Sequence, residues 1–286
     1  MHGRGLKGAA ILLVAGALGC GDARTQPPAE PAPSPEAGSL FDPANAGAVE
    51  GRVLWAGEVP SVPPLIERPN IAGPVFDKES VAWPNPNAPV IDATTRAVQG
   101  AVVFLRGVDP RRARPWDLPA VRVVQQGKQF HVRQGDCDGA VGFVRRGDGV
   151  EMVSADPVFY SLHAGGAAFF TLAFPDPDRP RTRRLANRGL VELTSAAGHF
   201  WMRGYLFVDD HPYYVRSDAE GRFRLTNVPP GHYEVVCWRP DWREERHERD
   251  PESSLVTRLF FRPPLESARP IQVLPKGTAA VELTMP

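Results

Sequence analysis

Runs of β-branched and aromatic residues, separated by Gly, Asp and Pro, make up most of the chain after its first 45 positions. In residues 117–210 they include AVRVVQQ, QFHVRQ, AAFFTLAF, GLVELTSA and GYLFVDD. In residues 213–238, apolar and polar positions alternate, as at Tyr233, Val235 and Cys237. A period of two places one face of a strand in the interior. The pattern therefore predicts an all-β fold of short strands, as in a sandwich or barrel.

Composition strengthens the all-β interpretation and excludes one class of function. The chain has 27 Gly and 31 Pro among its 286 residues, and neither residue is well tolerated inside a helix. Its 33 basic and 33 acidic side chains give a formal net charge of zero. Because nucleic-acid binding depends on neutralising phosphates with Lys and Arg, we expect no nucleic-acid partner.

The first 45 residues predict export and membrane attachment. Residues 1–19 combine a charged head with an apolar run that is typical of a signal peptide and too short to span a bilayer. The tripeptide ALG before Cys20 resembles a bacterial lipobox and implies cleavage before Cys20 and lipidation of its thiol; an ordinary signal peptide is the alternative. Residues 20–45 predict a Pro-rich tether. We therefore expect a lipid-anchored protein of the cell envelope, either periplasmic or on the cell surface.

A turn-rich motif lies near the end of the chain, where SDAEGRF is followed by a leucine, VPPG and a tyrosine. Its characteristic positions are Asp218, Gly221, Phe223, Leu225, Pro229, Pro230, Gly231 and Tyr233. The motif is similar to that of the carboxypeptidase regulatory-like module, a transthyretin-like β-sandwich. The segments VEGRV at residues 49–53 and GAVVFL at residues 100–105 look like the first two strands of this module. The resemblance implies a module that binds, spaces or stabilises.

A second motif combines histidine and methionine. In SADPVFYSLHAGG, His163 follows a predicted strand, and in SAAGHFWMRGYLFV, His199 and Met202 stand three residues apart before an apolar strand. This arrangement resembles the cupredoxins, small blue-copper proteins whose first histidine ligand follows a strand and whose other ligands come from a Cys-x-x-His-x-x-Met loop. The resemblance implies a Greek-key sandwich in which His163, His199 and Met202 bind copper.

One position departs from the cupredoxin pattern. Three residues before His199, where the family has its cysteine ligand, stands Ala196. A type 1 copper site needs a thiolate beside two imidazoles, and alanine has no donor atom. The remaining His163, His199 and Met202 would form a neutral set that suits Cu(I) better than Cu(II). Three interpretations stay open: a cupredoxin-shaped domain without a cofactor, residual copper binding by these three residues, or a site that takes its thiolate from Cys137.

Together the two resemblances predict one sandwich inserted into another. The regulatory-like sandwich would occupy residues 46–116 and resume at residues 211–286, and the cupredoxin-like domain would occupy residues 117–210. Such an insertion is tolerated where both ends of the inserted domain lie close together. Two stretches, residues 61–99 and 239–269, match neither family.

Two further groups of residues are candidates for chemistry. Cys137 and Cys237 remain after lipidation of Cys20, and an extracytoplasmic compartment permits a disulfide between them. A free, buried Cys237 is the alternative, because this residue alternates with apolar side chains. The sequence DDH at residues 209–211 could form a second metal site or an acid–base group, but is interpreted as a polar turn between the domains.

These features predict a non-enzymatic lipoprotein with a binding or structural role at the cell envelope. Its partners would be the membrane, through the lipid anchor, and an unidentified envelope protein or polysaccharide. A copper-binding or copper-handling protein that uses His163, His199 and Met202 is the alternative. An enzyme is not expected, because the sequence shows no nucleophile motif, phosphate-binding loop or metalloprotease helix motif.

Overall fold

Strands account for all the regular secondary structure in the residues that the structure describes. The computed structural model describes residues 40–68 and 79–286, and places 23 strands and no helix in them. The predicted all-β fold is confirmed. The predicted signal peptide, Cys20 and most of the tether lie outside the described residues. The described part of the chain has no helix of the length and apolar character that a membrane crossing requires.

The strands, in chain order, are β1 (Gly47–Trp55), β2 (Leu65–Glu67), β3 (Val81–Trp83), β4 (Val90–Ile91), β5 (Val98–Gln99), β6 (Val102–Arg106), β7 (Val121–Gln126), β8 (Gln129–Gln134), β9 (Cys137–Gly139), β10 (Val141–Arg145), β11 (Gly149–Ser154), β12 (Tyr160–Gly166), β13 (Phe170–Phe174), β14 (Arg181–Arg184), β15 (Gly189–Ser195), β16 (Arg203–Asp209), β17 (Tyr214–Arg216), β18 (Arg222–Val228), β19 (Gly231–Arg239), β20 (Glu244–Arg249), β21 (Val256–Phe261), β22 (Leu265–Val273) and β23 (Thr278–Met285).

Two sheets that combine strands from both ends of the chain enclose one hydrophobic core, and we call this pair the first sandwich. One sheet has the order β18-β1-β23, in which β1 pairs antiparallel with β18 and parallel with β23. The other has the order β17-β6-β19-β22. Alternate side chains of each strand point inward. The core includes Val49, Val53, Leu105, Leu225, Val235, Cys237 and Leu283.

The turn that precedes β18 shows why this motif needs glycine. Gly221 has a φ of 73°, a conformation that L side chains rarely adopt. Its N–H donates to the carbonyl of Asp218 across the turn. A Cβ at Gly221 would lie 2.5 Å from the carbonyl oxygen of Val53 on β1. The turn therefore brings β18 against β1 only with glycine at this position.

Two five-stranded sheets, both formed from the stretch between residues 121 and 209, enclose a second core. Their orders are β10-β16-β15-β12-β13 and β14-β11-β7-β8-β9. We call this pair the second sandwich. Its core includes Val123, Val132, Met152, Tyr160, Leu162, Leu193, Trp201, Met202 and Leu206. No sheet of the described residues mixes these strands with strands from outside the stretch.

An aromatic cluster joins the two sandwiches. Phe207 on β16 contacts Trp238 on β19 edge-on, with ring centroids 4.9 Å apart, and lies 5.9 Å from the ring of Phe104 on β6. Phe143 and Tyr214 extend the cluster. The outer face of β10 and β16 is therefore buried against the first sandwich, whereas β12 and β13 lie at the other end of the same sheet.

Each of the two stretches that match neither family contributes a hairpin that packs against the second sandwich. The β2–β3 hairpin places Leu65 and Trp83 against its core. The β20–β21 hairpin contributes Leu259, which is buried in the same core, and packs Phe261 against it. These hairpins bring residues from distant parts of the sequence to the end of the second sandwich where His199 and Met202 lie.

Candidate functional site

His163 lies on β12, on the face turned away from the core of the second sandwich. Its neighbours Leu162 and Ala164 belong to that core, and successive side chains of a strand point to opposite faces. The His163 Nδ1 atom lies 3.0 Å from Thr171 Oγ1 on β13. Its ring meets that of Phe169 edge-on, with centroids 5.3 Å apart. Phe169 is 85% exposed, so His163 stands beside a solvent-exposed aromatic ring.

His199 lies in the loop of residues 196–202 and packs on the core side. Its ring centroid is 5.5 Å from that of the buried Tyr160 and 5.6 Å from that of Trp201. Burial, and to a smaller extent the Lys128 ammonium, lower the pKa of His199 from its ordinary value. The neutral imidazole is therefore favoured. Its Nδ1 atom is buried and has no hydrogen-bond partner among the described residues.

The predicted copper ligands differ in the face of the sheet on which they lie. Tyr160, against which His199 packs, is on the core face of β12, whereas His163 projects from the opposite face. Met202 is 2% exposed and lies in the core. The ligand set of His163, His199 and Met202 therefore stays a prediction of the sequence, with His163 on the other face of β12 from Tyr160. No three His, Cys, Asp or Glu side chains in residues 40–68 and 79–286 are grouped to hold a metal.

The donor atoms at the loop do not fit type 1 copper. Ala196 follows β15, where its N–H donates to the carbonyl of Ser161 at 2.7 Å, and its methyl group is exposed. This position has no thiolate, and His163 is on the far face of the sheet. The thiolate that a trigonal copper site needs is therefore missing from the loop.

Cys137 and Cys237 are free thiols in the structure. Cys137 is exposed on β9, at the edge of a sheet of the second sandwich. Cys237 is buried in the core of the first sandwich, and burial raises its pKa to about 12. The disulfide that the sequence left as one alternative is not formed, because one thiol faces the interior of a sandwich to which the other does not belong.

Two stacked indoles cover the end of the core beside His199. Trp83 of β3 lies flat on Trp201, with ring centroids 4.5 Å apart and an angle of 9° between the planes. Trp83 Nε1 donates to Glu67 Oε2 at 2.8 Å, and Trp201 Nε1 donates to the Lys128 carbonyl at 3.0 Å. The Lys128 ammonium is 5.6 Å from the Trp83 ring centroid. Stacking and hydrogen bonds therefore fix the orientation of both indoles.

A five-residue segment, WPNPN at residues 83–87, holds Trp83 in place, and we call it the strap. Asn85 and Asn87 are buried. The Asn85 side chain donates to the Trp242 carbonyl, and the Asn87 side chain donates to the Asp241 carbonyl and accepts from the Tyr205 hydroxyl. The other three residues, Trp83, Pro84 and Pro86, line a cleft. The asparagines of the strap therefore attach it to the rest of the protein, and its other side chains form one wall of the cleft.

The cleft has a volume of about 410 Å³ and lies between the strap and the β8–β9 hairpin. Its floor is formed by Trp201, Met202 and Arg203. The opposite wall carries Gln129, His131 and Asp138, of which the last two are paired at 3.2 Å between Nδ1 and Oδ1. A cleft with an aromatic wall and a few polar side chains is the usual form of a small-ligand site.

The predicted polar turn DDH forms a buried network instead of a metal site. Asp209 accepts hydrogen bonds from the Tyr214 hydroxyl at 2.6 Å and from Arg188 at 2.5 Å. His211 Nε2 lies 3.3 Å from the same carboxylate. Asp210 pairs with Arg146 at 2.7 Å. Each carboxylate therefore has a cationic partner, and the network lies where β16 leaves the second sandwich.

Sequence reasoning missed the cleft because three distant segments form it. Its walls come from residues 83–86, 129–140 and 201–203. The one local signal was the alternation of Pro and Asn in WPNPN, since two asparagines at alternate positions suit a segment attached through one face. The sequence also indicates the face on which His163 lies. Tyr160, Leu162 and Ala164 are at alternate positions of one strand and face the core, so His163 lies on the opposite face.

No family model matches the chain, and no curated protein matches it. Among solved structures, it is similar to a methionine-to-alanine variant of amicyanin in the Cu(I) form, with 16% identity over 31% of this chain and 81% of that one, and a TM-score of 0.25. A reduced tryptophan-to-tyrosine variant of amicyanin matches with 14% identity over 37% and 97% of the two chains, and a TM-score of 0.26. At such TM-scores the likeness carries no argument about the metal or function of this chain.

Proposed function

We propose that the chain is a non-enzymatic lipoprotein of the cell envelope, with a cupredoxin-like half that has lost type 1 copper and acts as a binding module. The observation that carries the proposal is the packing of the loop at residues 196–202. Trp201 stacks on Trp83 and His199 packs on Tyr160, so aromatic contacts occupy the end of the sandwich where the family binds copper.

The proposal also accounts for the anchor and the tether. The predicted lipidation of Cys20 would attach the chain to a membrane, and the Pro-rich residues that follow would hold the folded part away from the surface. The aromatic cleft beside the loop offers a binding surface for an envelope protein or polysaccharide. Binding an envelope protein or polysaccharide in this way requires no redox centre, so it does not depend on copper.

Copper loading tests the proposal. The full chain, purified in detergent, is incubated with Cu(I) and separately with Cu(II), desalted and analysed for copper. We expect no retained copper and an unchanged melting temperature, since a ligand that binds only the folded state would raise it. Ala196→Cys is the sharper variant: we expect it to stay colourless with Cu(II), because His163 projects from the opposite face of the sheet.

The alternative is copper handling by His163, His199 and Met202, and the unpartnered Nδ1 atom of His199 is the observation that favours it. This alternative predicts about one bound copper ion per chain, because the three residues would form a single site. It also predicts loss of that copper in both His163→Ala and His199→Ala. Retention of copper by the original chain, with this dependence on both histidines, would contradict the proposed function. An intense blue band in Ala196→Cys would contradict only the placement of His163 away from the loop.

A further inference from the structure

We propose that the cleft between the strap and the β8–β9 hairpin binds a neutral saccharide, with a sugar ring lying against the indole of Trp83. The inference rests on the proposed function, since it names the ligand class of the binding module. The cleft of about 410 Å³ falls within the range of small-ligand sites.

The aromatic wall is fixed before any ligand arrives. Trp83 is half-buried, and one face of its ring is covered by Trp201. Its N–H is already bonded to Glu67, so the ring, and not its polar edge, is what remains for a ligand. A pyranose ring presents C–H groups on its faces, and these pack against the apolar face of an indole. Because Asn85 and Asn87 attach the strap, little conformational entropy is lost on binding.

The opposite wall supplies groups that match hydroxyls. Gln129 is exposed and carries both donors and an acceptor on one planar amide. The Asp138 carboxylate offers acceptors, and His131 offers a ring nitrogen beside it. Neighbouring hydroxyls of a sugar both donate and accept, so a wall of planar amide, carboxylate and imidazole groups complements them. A sugar ring has apolar faces and carries hydroxyl groups around its rim, so the aromatic wall and the polar wall of the cleft match its two kinds of surface.

Charge around the cleft favours a neutral ligand over an acidic one. The Asp138 carboxylate pairs with Arg133 at 3.3 Å and with His131. Opposite charges also flank the indole of Trp83, namely the Lys128 ammonium and the Glu67 carboxylate. An acidic polymer would find the Arg133 and Arg203 guanidinium groups already facing the carboxylates of Asp138 and Glu192, whereas a neutral sugar needs no net charge in the wall.

Binding of defined oligosaccharides tests the inference. The full chain in detergent is titrated with cellohexaose, maltohexaose and chitohexaose, and with oligogalacturonate as the acidic comparison, by calorimetry and by tryptophan fluorescence. We expect at least one neutral oligosaccharide to bind and oligogalacturonate not to bind. Trp83→Ala should weaken that binding about tenfold or more, as expected for loss of an aromatic contact and its buried area.

Two further variants separate the ligand site from the fold. Gln129→Ala changes an exposed side chain that lines the cleft and should weaken binding with an unchanged melting temperature. Phe169→Ala, which removes an 85% exposed aromatic ring outside the cleft, is the matched control and should bind as the original chain does. The inference would be overturned if no neutral oligosaccharide bound, or if only the acidic oligosaccharide or a peptide bound. It would also be overturned if Trp83→Ala and Gln129→Ala both bound the neutral oligosaccharide as tightly as the original chain does. Any of these results leaves the copper test of the proposed function unaffected.

Discussion

At the scale of single residues, Asp209 and His211 show how a buried charge is kept in the fold. Burial alone would raise the pKa of the Asp209 carboxyl, but His211, the Tyr214 hydroxyl and Arg188 together hold the pKa below its ordinary value. Burial also lowers the pKa of His211, against the opposing effect of Asp209. The surroundings thus favour the ionised carboxylate of Asp209, and burial disfavours protonation of His211.

This network predicts a loss of stability on acidification. Because the folded-state pKa of His211 is lowered from 6.5, the unfolded chain binds a proton first as the pH falls below that value, and the free energy of unfolding decreases. The depressed pKa of Asp209 adds a further loss at lower pH, below its ordinary value of 3.8. Urea denaturation between about pH 7 and about pH 5 should show a smaller decrease for His211→Gln than for the original chain.

His199 has a lowered pKa for a similar reason, so part of the pH dependence should survive in His211→Gln. His232→Gln, which removes an exposed histidine of β19, is the matched control. An identical slope in His211→Gln and the original chain would show that the network does not carry the pH dependence.

At the scale of elements, the strap holds the two sandwiches and the cleft together. Asn87 is 2% exposed and bonds to the Asp241 carbonyl and the Tyr205 hydroxyl, both at 2.9 Å. The Arg239 guanidinium donates to the Asn87 carbonyl at 2.7 Å. Tyr205 is on β16 of the second sandwich and Arg239 is on β19 of the first. A segment without regular structure thus contacts both sandwiches through one residue.

Asn87→Ala should therefore destabilise the fold. The substitution removes two buried hydrogen bonds and leaves the Tyr205 hydroxyl without its partner, at a cost of about 2–4 kcal/mol in the free energy of unfolding. Urea denaturation measures this cost. Asn187→Ala is the control, because Asn187 is exposed and makes a single side-chain hydrogen bond, so its loss should cost under about 1 kcal/mol. Equal costs in the two variants would contradict the role of the strap.

In the molecule as a whole, the aromatic cluster connects the two sandwiches through a buried contact. Phe207 is 7% exposed and contacts Phe104 and Trp238 of the first sandwich. Close-packed aromatic contacts of this kind couple the stability of the parts that they join. The two cores are separate, but the surface between them is as well buried as a core.

We expect the chain to unfold in a single calorimetric transition and Phe207→Ala to separate it into two. Truncation of a buried phenylalanine to alanine lowers the free energy of unfolding by about 3–5 kcal/mol. At Phe207, the contacts that are lost include those between the two sandwiches. Phe260→Ala is the control, since Phe260 lies on β21 between the guanidinium groups of Arg246 and Arg258, outside the cluster. Two transitions in the original chain, or one transition in Phe207→Ala, would contradict the coupling.

Three features follow from the order of the residues alone: the all-β class, the tight turn at Asp218–Gly221 and the missing thiolate at Ala196. These features are local, because a strand is recognised by its period of two, a turn by its glycine and a ligand by its side chain. The face of His163 was also encoded locally, in its alternation with Leu162 and Ala164.

Which residues come into contact depends on how the strands and hairpins pack in three dimensions. The stack of Trp83 on Trp201 joins residues more than a hundred positions apart, and the cleft needs three such segments. Cys137 and Cys237 stay apart for the same reason, since each belongs to a different sandwich. Such contacts depend on the order of the strands in each sheet and on the packing of the hairpins against the core of a sandwich. The spacing of apolar residues along the sequence does not specify either.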